Sequence, residues 1–449
     1  MGWRTRLTAL VGTLVLTAAV TTGTAQADGR RGREGDNGRN GHGVDREHHR
    51  GSLRDIQHIV VLMQENRSFD SYFGQLHNEG QPRSDREPRR GNPDPTNPDG
   101  PNIKPFHATD LCTVADLNHE WTGTHLEFDN GRMDGFTAQN VDPKDPTGSR
   151  TMGYFDQSDL PFYYSLANTF GVGDRNFASV LGPTFPNRFY EMTGTSFGHI
   201  RNDLPPSGGY SQPTIFGALQ AAGISWKVYY ATFPTAAFFA DVQAHPDHLA
   251  TIDHYYADAK AGTLPQVTFI EPRYIGDSTQ ENDEHPPANP QVGQQFTSTI
   301  VNALMTSPNW SSSAFILTYD EHGGYYDHVA PPRAPKPDNI APMLEPGDVN
   351  VAFDRFGIRV PFVMVSPFSR PHFVSDDVQD HTSILKLIET RFGLKPLTQR
   401  DAHADNLLDY FDFDHPHFLK PPTLATATID PVQAAKCAAA HPGILGLSE

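Results

Sequence analysis

Apolar residues along this chain alternate between short unbroken runs and helical stripes. Ile59–Met63, Ile224–Tyr230, Gln266–Ile270, Ala314–Tyr319 and Val360–Val365 are strand-length runs with little of the polar alternation of a half-exposed strand. Between and around them, Pro161–Phe170, Thr214–Ala222, Gln291–Met305 and Ser383–Phe392 place apolar residues at helical spacing, and Gly393 stops the last. Another helix is predicted to open near Pro186, with Phe189, Met192 and Thr193 on its buried face. Strands buried on both faces and separated by helices predict an α/β domain with a mainly parallel sheet covered on both sides. The stretches 78–105 and Pro335–Pro346, rich in turn-forming residues, read as surface loops. With no repeat and no composition break, a single domain over residues 53–420 is expected.

The ends of the chain read differently. Arg4 and Arg6 precede the apolar run Leu7–Val20 and then Ala25-Gln26-Ala27, the order of a secretory signal peptide over residues 1–27. This predicts a secreted protein, and no other stretch is apolar and long enough to span a membrane. Residues 28–52 contain almost nothing apolar and read as a flexible polar tail. Residues 1–52 hold eight arginines and five acids, so of the chain's net charge of −18 the remainder carries −18 − 3 = −21. That charge excludes nucleic acid as a partner, and a phosphate-bearing substrate would need local neutralisation by a cation or by specific Arg and His. Cys112 and Cys437 are the only cysteines; they read either as a disulfide tying the tail 421–449 to an early loop or as two free thiols.

Two of the buried runs end abruptly in polar groups. Gln64, Glu65, Asn66, Arg67, Ser68 and Asp70 follow the first, and Asp320-Glu321-His322 follows Tyr319. So many polar groups cannot be buried without partners, and in α/β sheets ligands gather at the carboxyl ends of strands. Glu65, Asn66, Asp320 and Glu321 supply three carboxylates and an amide oxygen, the hard donors that a divalent cation requires. A loop ion pair or helix cap is the alternative for either pair alone. Thr184, in Gly182-Pro183-Thr184-Phe185-Pro186, precedes a helix amino terminus whose free N–H groups favour an anion, which makes it a candidate nucleophile; a threonine-capped turn is the alternative. His119, His285 and His381 stand beside acids or turns, where they could bond phosphate oxygens or protonate a leaving alcohol. His322 and His328 follow the carboxylates closely enough to orient them, and Tyr319, Tyr325 and Tyr326 read as wall.

The segments HIVVLMQENRSFDSYFG (58–74), GPTFPNR (182–188), DEHPP (283–287), TYDEHGGYYDHV (318–329) and DHTSILKLIETRFG (380–393) resemble, in order, the bacterial phosphoesterase family of phosphatidylcholine-type phospholipases C and AcpA-type acid phosphatases. The resemblance implies a three-layer α/β/α, alkaline-phosphatase-like fold. It also implies a cation held by Glu65, Asn66, Asp320, Glu321 and the Thr184 hydroxyl, with His119, His285 and His381 on the phosphate side. The reaction it implies runs through a phosphothreonine. The cation could be Ca, Mg, Mn or Zn. The substrate is expected to be a phospholipid headgroup or a small phosphomonoester, and a non-catalytic metal- and phosphate-binding protein is the reading of a different class. After about residue 395 only a short tail remains, so the β-rich carboxyl-terminal domains of the larger phospholipases are not expected.

Overall fold

The computed structural model describes residues 51–440 except for Arg89, 113–115 and 276–279. The signal peptide and all but the last two residues of the polar tail therefore lie outside the described residues. Eight strands form the central sheet: β1 (His58–Gln64), β2 (Gly171–Gly173), β3 (Trp226–Tyr230), β4 (Leu249–Thr251), β5 (Val267–Glu271), β6 (Ser313–Tyr319), β7 (Phe362–Val365) and β8 (Phe373–Ser375). Their spatial order is β8-β2-β7-β6-β1-β5-β3-β4. Only β7 runs antiparallel, against both β2 and β6. The short strands β2, β4 and β8 were not foreseen, because three residues carry too little pattern to register.

Successive residues of the central strands point to opposite faces, as the pleat requires. Val60, Leu62, Phe315, Leu317, Val363 and Val365 pack with the helices Pro161–Thr169, Ile252–Ala261 and Pro290–Met305. Ile59, Val61, Ala314, Ile316, Phe362 and Met364 pack with the helices Thr184–Thr193, Ile215–Ala222 and His381–Phe392. The result is the expected three-layer α/β/α arrangement. No described helix is long and apolar enough to cross a membrane. The segment read as a carboxyl-terminal tail contains a helix, Pro431–Ala440, and its buried Cys437 is disulfide-bonded to Cys112.

What positions the functional groups is the register at the sheet centre. β1 lies between β5 and β6, parallel to both, with Gln64 opposite Tyr319. The polar segments that follow the two strands therefore emerge side by side. They approach so closely that Gly323, at φ +64°, has no room for a side chain: a Cβ there would lie 2.4 Å from the Asn66 carbonyl oxygen.

A second device holds the loop 281–287 against this end. Glu284 is buried and accepts hydrogen bonds from the Tyr72 hydroxyl at 2.6 Å and the Tyr319 hydroxyl at 2.9 Å, and also from Tyr163. Burial outweighs those three donors and the nearby Arg67, so its carboxyl is raised to about 7.

Two outcomes follow. Gly323→Ala should lower the free energy of unfolding in urea by about 1 to 3 kcal/mol, while Gly208→Ala, at φ +89° with nothing within 4 Å, should lose only the smaller backbone share. Folded Glu284 binds its proton more tightly than the unfolded chain does. Its contribution to stability is complete at low pH and is lost as pH rises towards about 7. Glu284→Gln should flatten that part of the stability–pH curve, read from urea midpoints between pH 4.5 and 8.

Candidate active site

Asn66, at φ +62°, turns the chain sharply after β1. That turn lets its backbone N–H donate to Asp320 Oδ1 at 3.1 Å, and the Glu321 N–H reaches the same oxygen at 2.7 Å. The Gly323 N–H donates to Glu321 Oε2 at 2.6 Å. Each of these two carboxylates thus spends one oxygen on backbone amides. Their other oxygens, Asp320 Oδ2 and Glu321 Oε1, are buried without a hydrogen-bond partner among the described residues, as are Asn66 Oδ1 and Thr184 Oγ1. An unsatisfied buried oxygen costs about 1 to 3 kcal/mol, more when charged. Four of them contributed by the segments that end two adjacent strands and begin a helix fit a hard divalent cation by the chemistry of the donor set.

Thr184 is the first residue of its helix, which begins two residues earlier than the position of Pro186 suggested. Proline fits equally well in the interior of a first turn, so it marks the start only to within that turn. Asn202 Oδ1 accepts the Phe185 N–H at 2.8 Å. Asn187 holds the approach, accepting from the Val180 N–H at 3.0 Å and donating to the Gly182 carbonyl at 2.9 Å.

Four residues after Thr184, on the same helix face, comes a group that sequence reasoning quoted but gave no role. Arg188 is buried and reaches Glu65 Oε1 at 3.3 Å, Glu271 Oε2 at 3.3 Å and Asp320 Oδ2 at 3.6 Å. Its guanidinium also lies 4.9 Å from the centre of the Tyr274 ring. The i, i+4 spacing to Thr184 was the signal that could have found it.

Arg188 also corrects the expected geometry of the acids. Glu65, Asp320 and Glu321 are not among the groups of three or more ligand-type side chains whose ligating atoms all lie within 4.8 Å among the described residues. The guanidinium bridges Glu65 and Asp320, while Glu321 turns towards His322. Arg188 thus faces the three carboxylates of Glu65, Glu271 and Asp320, which leaves an excess of negative charge on this side of the site. Burial, reinforced by Glu65 and Glu321, accordingly pushes the Asp320 carboxyl well above its ordinary range.

His119 and His285 face one another with ring centres 5.9 Å apart. Asp116 Oδ1 lies 3.6 Å from His119 Nδ1 and 3.8 Å from His285 Nε2. His119 Nδ1 donates to the Leu117 carbonyl at 2.8 Å, and its Nε2 lies 3.5 Å from Asn66 Nδ2, which ties this pair to the carboxylate end. Burial alone would lower His119, but the charges of Glu321, Asp116 and Glu120 outweigh it and raise it to about 10. His119 is therefore an imidazolium at neutral pH. Asp116, three residues before His119, was missed because the segment carries no periodicity.

His381 stands apart from that pair. Its Nε2 donates to the Tyr319 carbonyl at 2.8 Å from the start of the helix His381–Phe392, and its Nδ1 is buried without a partner among the described residues. Burial lowers it to about 4, which keeps it neutral. A neutral ring can accept a proton but has none to spare for a leaving alcohol. His322 orients a carboxylate, as its position suggested: Nδ1 lies 3.3 Å from Glu321 Oε2 and Nε2 lies 2.8 Å from Glu127 Oε2. His328 does not. It pairs with Asp70 at 2.7 Å in a buried network around Arg359.

Comparison with known proteins places these residues in a family. The chain is 35% identical over 386 residues to the non-specific phospholipase C1 of Arabidopsis thaliana, covering 79% of this chain and 71% of that protein. It is 32% identical over 427 residues to phospholipase C A of Mycobacterium tuberculosis, covering 84% and 81%. With the hemolytic phospholipase C of Pseudomonas aeruginosa it shares 31% identity over 429 residues, 81% of this chain but only 57% of that protein. The model of the Phosphoesterase family matches residues 56–395, a span that holds both strand ends, the Thr184 helix and the three histidines, and the chain belongs to that family.

Proposed function

We propose that this protein is a secreted, metal-dependent phosphoesterase of phospholipase C type that works through a phosphothreonine. The observation that carries the reading is the set of buried oxygens that accept no hydrogen bond among the described residues, Asn66 Oδ1, Thr184 Oγ1, Asp320 Oδ2 and Glu321 Oε1, beside a buried excess of carboxylates. Glu65, Asn66, Thr184, Asp320 and Glu321 would hold a divalent cation, which supplies charge neutralisation for the phosphate and lowers the pKa of a coordinated hydroxyl. The names of the relatives support a phospholipase C substrate, and the charged, apolar, small-residue order of residues 1–27 supports export.

This chain's own residues account for the remaining parts. Thr184, at the first turn of its helix, attacks phosphorus, and the positive end of the helix dipole there favours the phosphate oxygens. The His119 imidazolium, steadied by the Leu117 carbonyl and Asp116, donates to a phosphate oxygen or to the departing alcohol. His285, on the loop fastened by Glu284, faces it and serves the water that later attacks the phosphothreonine. Neutral His381 supports Asp320 from behind through the Tyr319 carbonyl. Arg188 keeps Glu65 and Asp320 from repelling one another, so the site's task is chiefly positioning and charge stabilisation.

Three measurements test this reading. The purified protein should hydrolyse a chromogenic phosphorylcholine diester faster than a phosphate monoester, and chelator should abolish both activities until metal is restored. The opposite preference would favour an acid phosphatase, and turnover of neither ester with any added cation would remove the enzyme reading. Thr184→Ala should lower kcat by about a thousandfold or more without changing the urea midpoint. Glu65→Gln should lower bound metal and activity together, whereas full metal with lost activity would make Glu65 an acid–base group.

A further inference from the structure

Four of the ten large apolar side chains exposed among the described residues fall within one twelve-residue stretch: Ile340 at 47%, Met343 at 47%, Leu344 at 37% and Val351 at 38%. Single exposed apolar residues need no explanation, but a contiguous group does. Ile340, Met343 and Leu344 occupy the proline-rich loop Pro335–Pro346 that the sequence marked as surface, Val351 follows it, and nothing in the proposed chemistry uses this stretch.

Three of the loop's acids nevertheless have partners on the protein. The Asp348 carboxylate is held by the Arg201 guanidinium, which also lies 3.5 Å from Glu345 and donates to the Met343 carbonyl at 3.1 Å. Asp338 accepts from the Thr195 hydroxyl, and the Met343 N–H donates to the Gly198 carbonyl at 2.9 Å. The loop thus presents apolar side chains outward, while Asp348 and Glu345, the latter itself exposed, share the Arg201 guanidinium and Asp338 is held by the Thr195 hydroxyl.

Its anchors also stand next to the active site. The Trp121 indole N–H donates to the Val349 carbonyl at 2.9 Å, two residues after His119. On the other side Arg201 immediately precedes Asn202, whose side chain caps the helix that begins with Thr184. The loop is therefore clamped between the segment carrying the phosphate-side histidine and the segment fixing the nucleophile.

We propose that Ile340, Met343 and Leu344 form a docking element that inserts into the surface of a zwitterionic phospholipid aggregate and sets the active site against its headgroups. This rests on the phospholipase C reading and deepens it. Charge selects the occupant: with a net charge of −18 the chain is repelled by an anionic bilayer. A loop whose Glu345 and Asp348 share the Arg201 guanidinium meets a neutral, phosphatidylcholine-type surface with less of that penalty. Insertion would then be driven by apolar area alone, which predicts binding that persists at high salt.

The test combines two kinds of variant. Leu344→Trp adds an indole at the loop, and its emission should shift to the blue on addition of phosphatidylcholine vesicles. The triple variant Ile340→Ser, Met343→Ser, Leu344→Ser should keep wild-type turnover of a soluble phosphorylcholine ester and the wild-type urea midpoint. It should lose co-sedimentation with phosphatidylcholine vesicles, and hydrolysis of them, by about tenfold or more. Vesicle binding that is equal in the wild type and the triple variant, or a Leu344→Trp emission that does not move, would overturn the proposal. So would a concentration-dependent dimer of the wild type that the triple variant abolishes, without vesicle binding, because the loop would then be a protein interface. Binding to vesicles by a protein that hydrolyses no ester would instead leave the docking element standing and overturn the phospholipase reading.

Discussion

The constraint on which the rest depends is an imbalance of buried charge. Glu65, Asp320, Glu321 and Glu271 end three neighbouring strands, all within the protein's interior, and the guanidinium of Arg188 bridges Glu65, Glu271 and Asp320. Such an arrangement is expensive unless something further neutralises it. Parallel pairing of β1 with β5 and β6 makes the crowding unavoidable, because it brings all three carboxyl ends to one edge. The fold concentrates negative charge at the place where the cation is proposed to sit.

The surroundings make sense in that light. Backbone amides occupy one oxygen of Asp320 and one of Glu321, aiming the others inward. Glu127 and His322 brace Glu321 from outside, at 2.8 and 3.3 Å along the chain of contacts. Glu321, together with Asp116 and Glu120, outweighs burial and raises His119. A group able to donate a proton thus stands beside Glu321, while burial keeps His381 neutral.

Much of this was legible in the sequence, and for a definite reason. Runs such as Ile59–Met63 and Ala314–Tyr319 are apolar on both faces, which only a sheet covered on both sides permits, and the polar residues at their ends marked where burial and polarity collide. What was not legible depends on side-chain reach across the fold. Arg188 was an ordinary arginine in a helix until the fold brought it to Glu65 and Asp320. Glu284 stood in plain view beside His285, but its three tyrosine partners come from residues 72, 163 and 319. His328 misled because closeness in sequence to Asp320 is not closeness in space: the turn at Gly323 and Gly324 carries it to Asp70.

In the proposed reaction Thr184 is the group that attacks phosphorus. Rapid acid quenching of the metal-loaded protein during turnover of a phosphorylcholine ester, followed by mass spectrometry of the peptide containing residues 182–188, tests it most directly. The account predicts a phosphoryl group on Thr184, absent without substrate. Sustained turnover with that peptide unmodified, or with the phosphoryl group on a histidine, would contradict it.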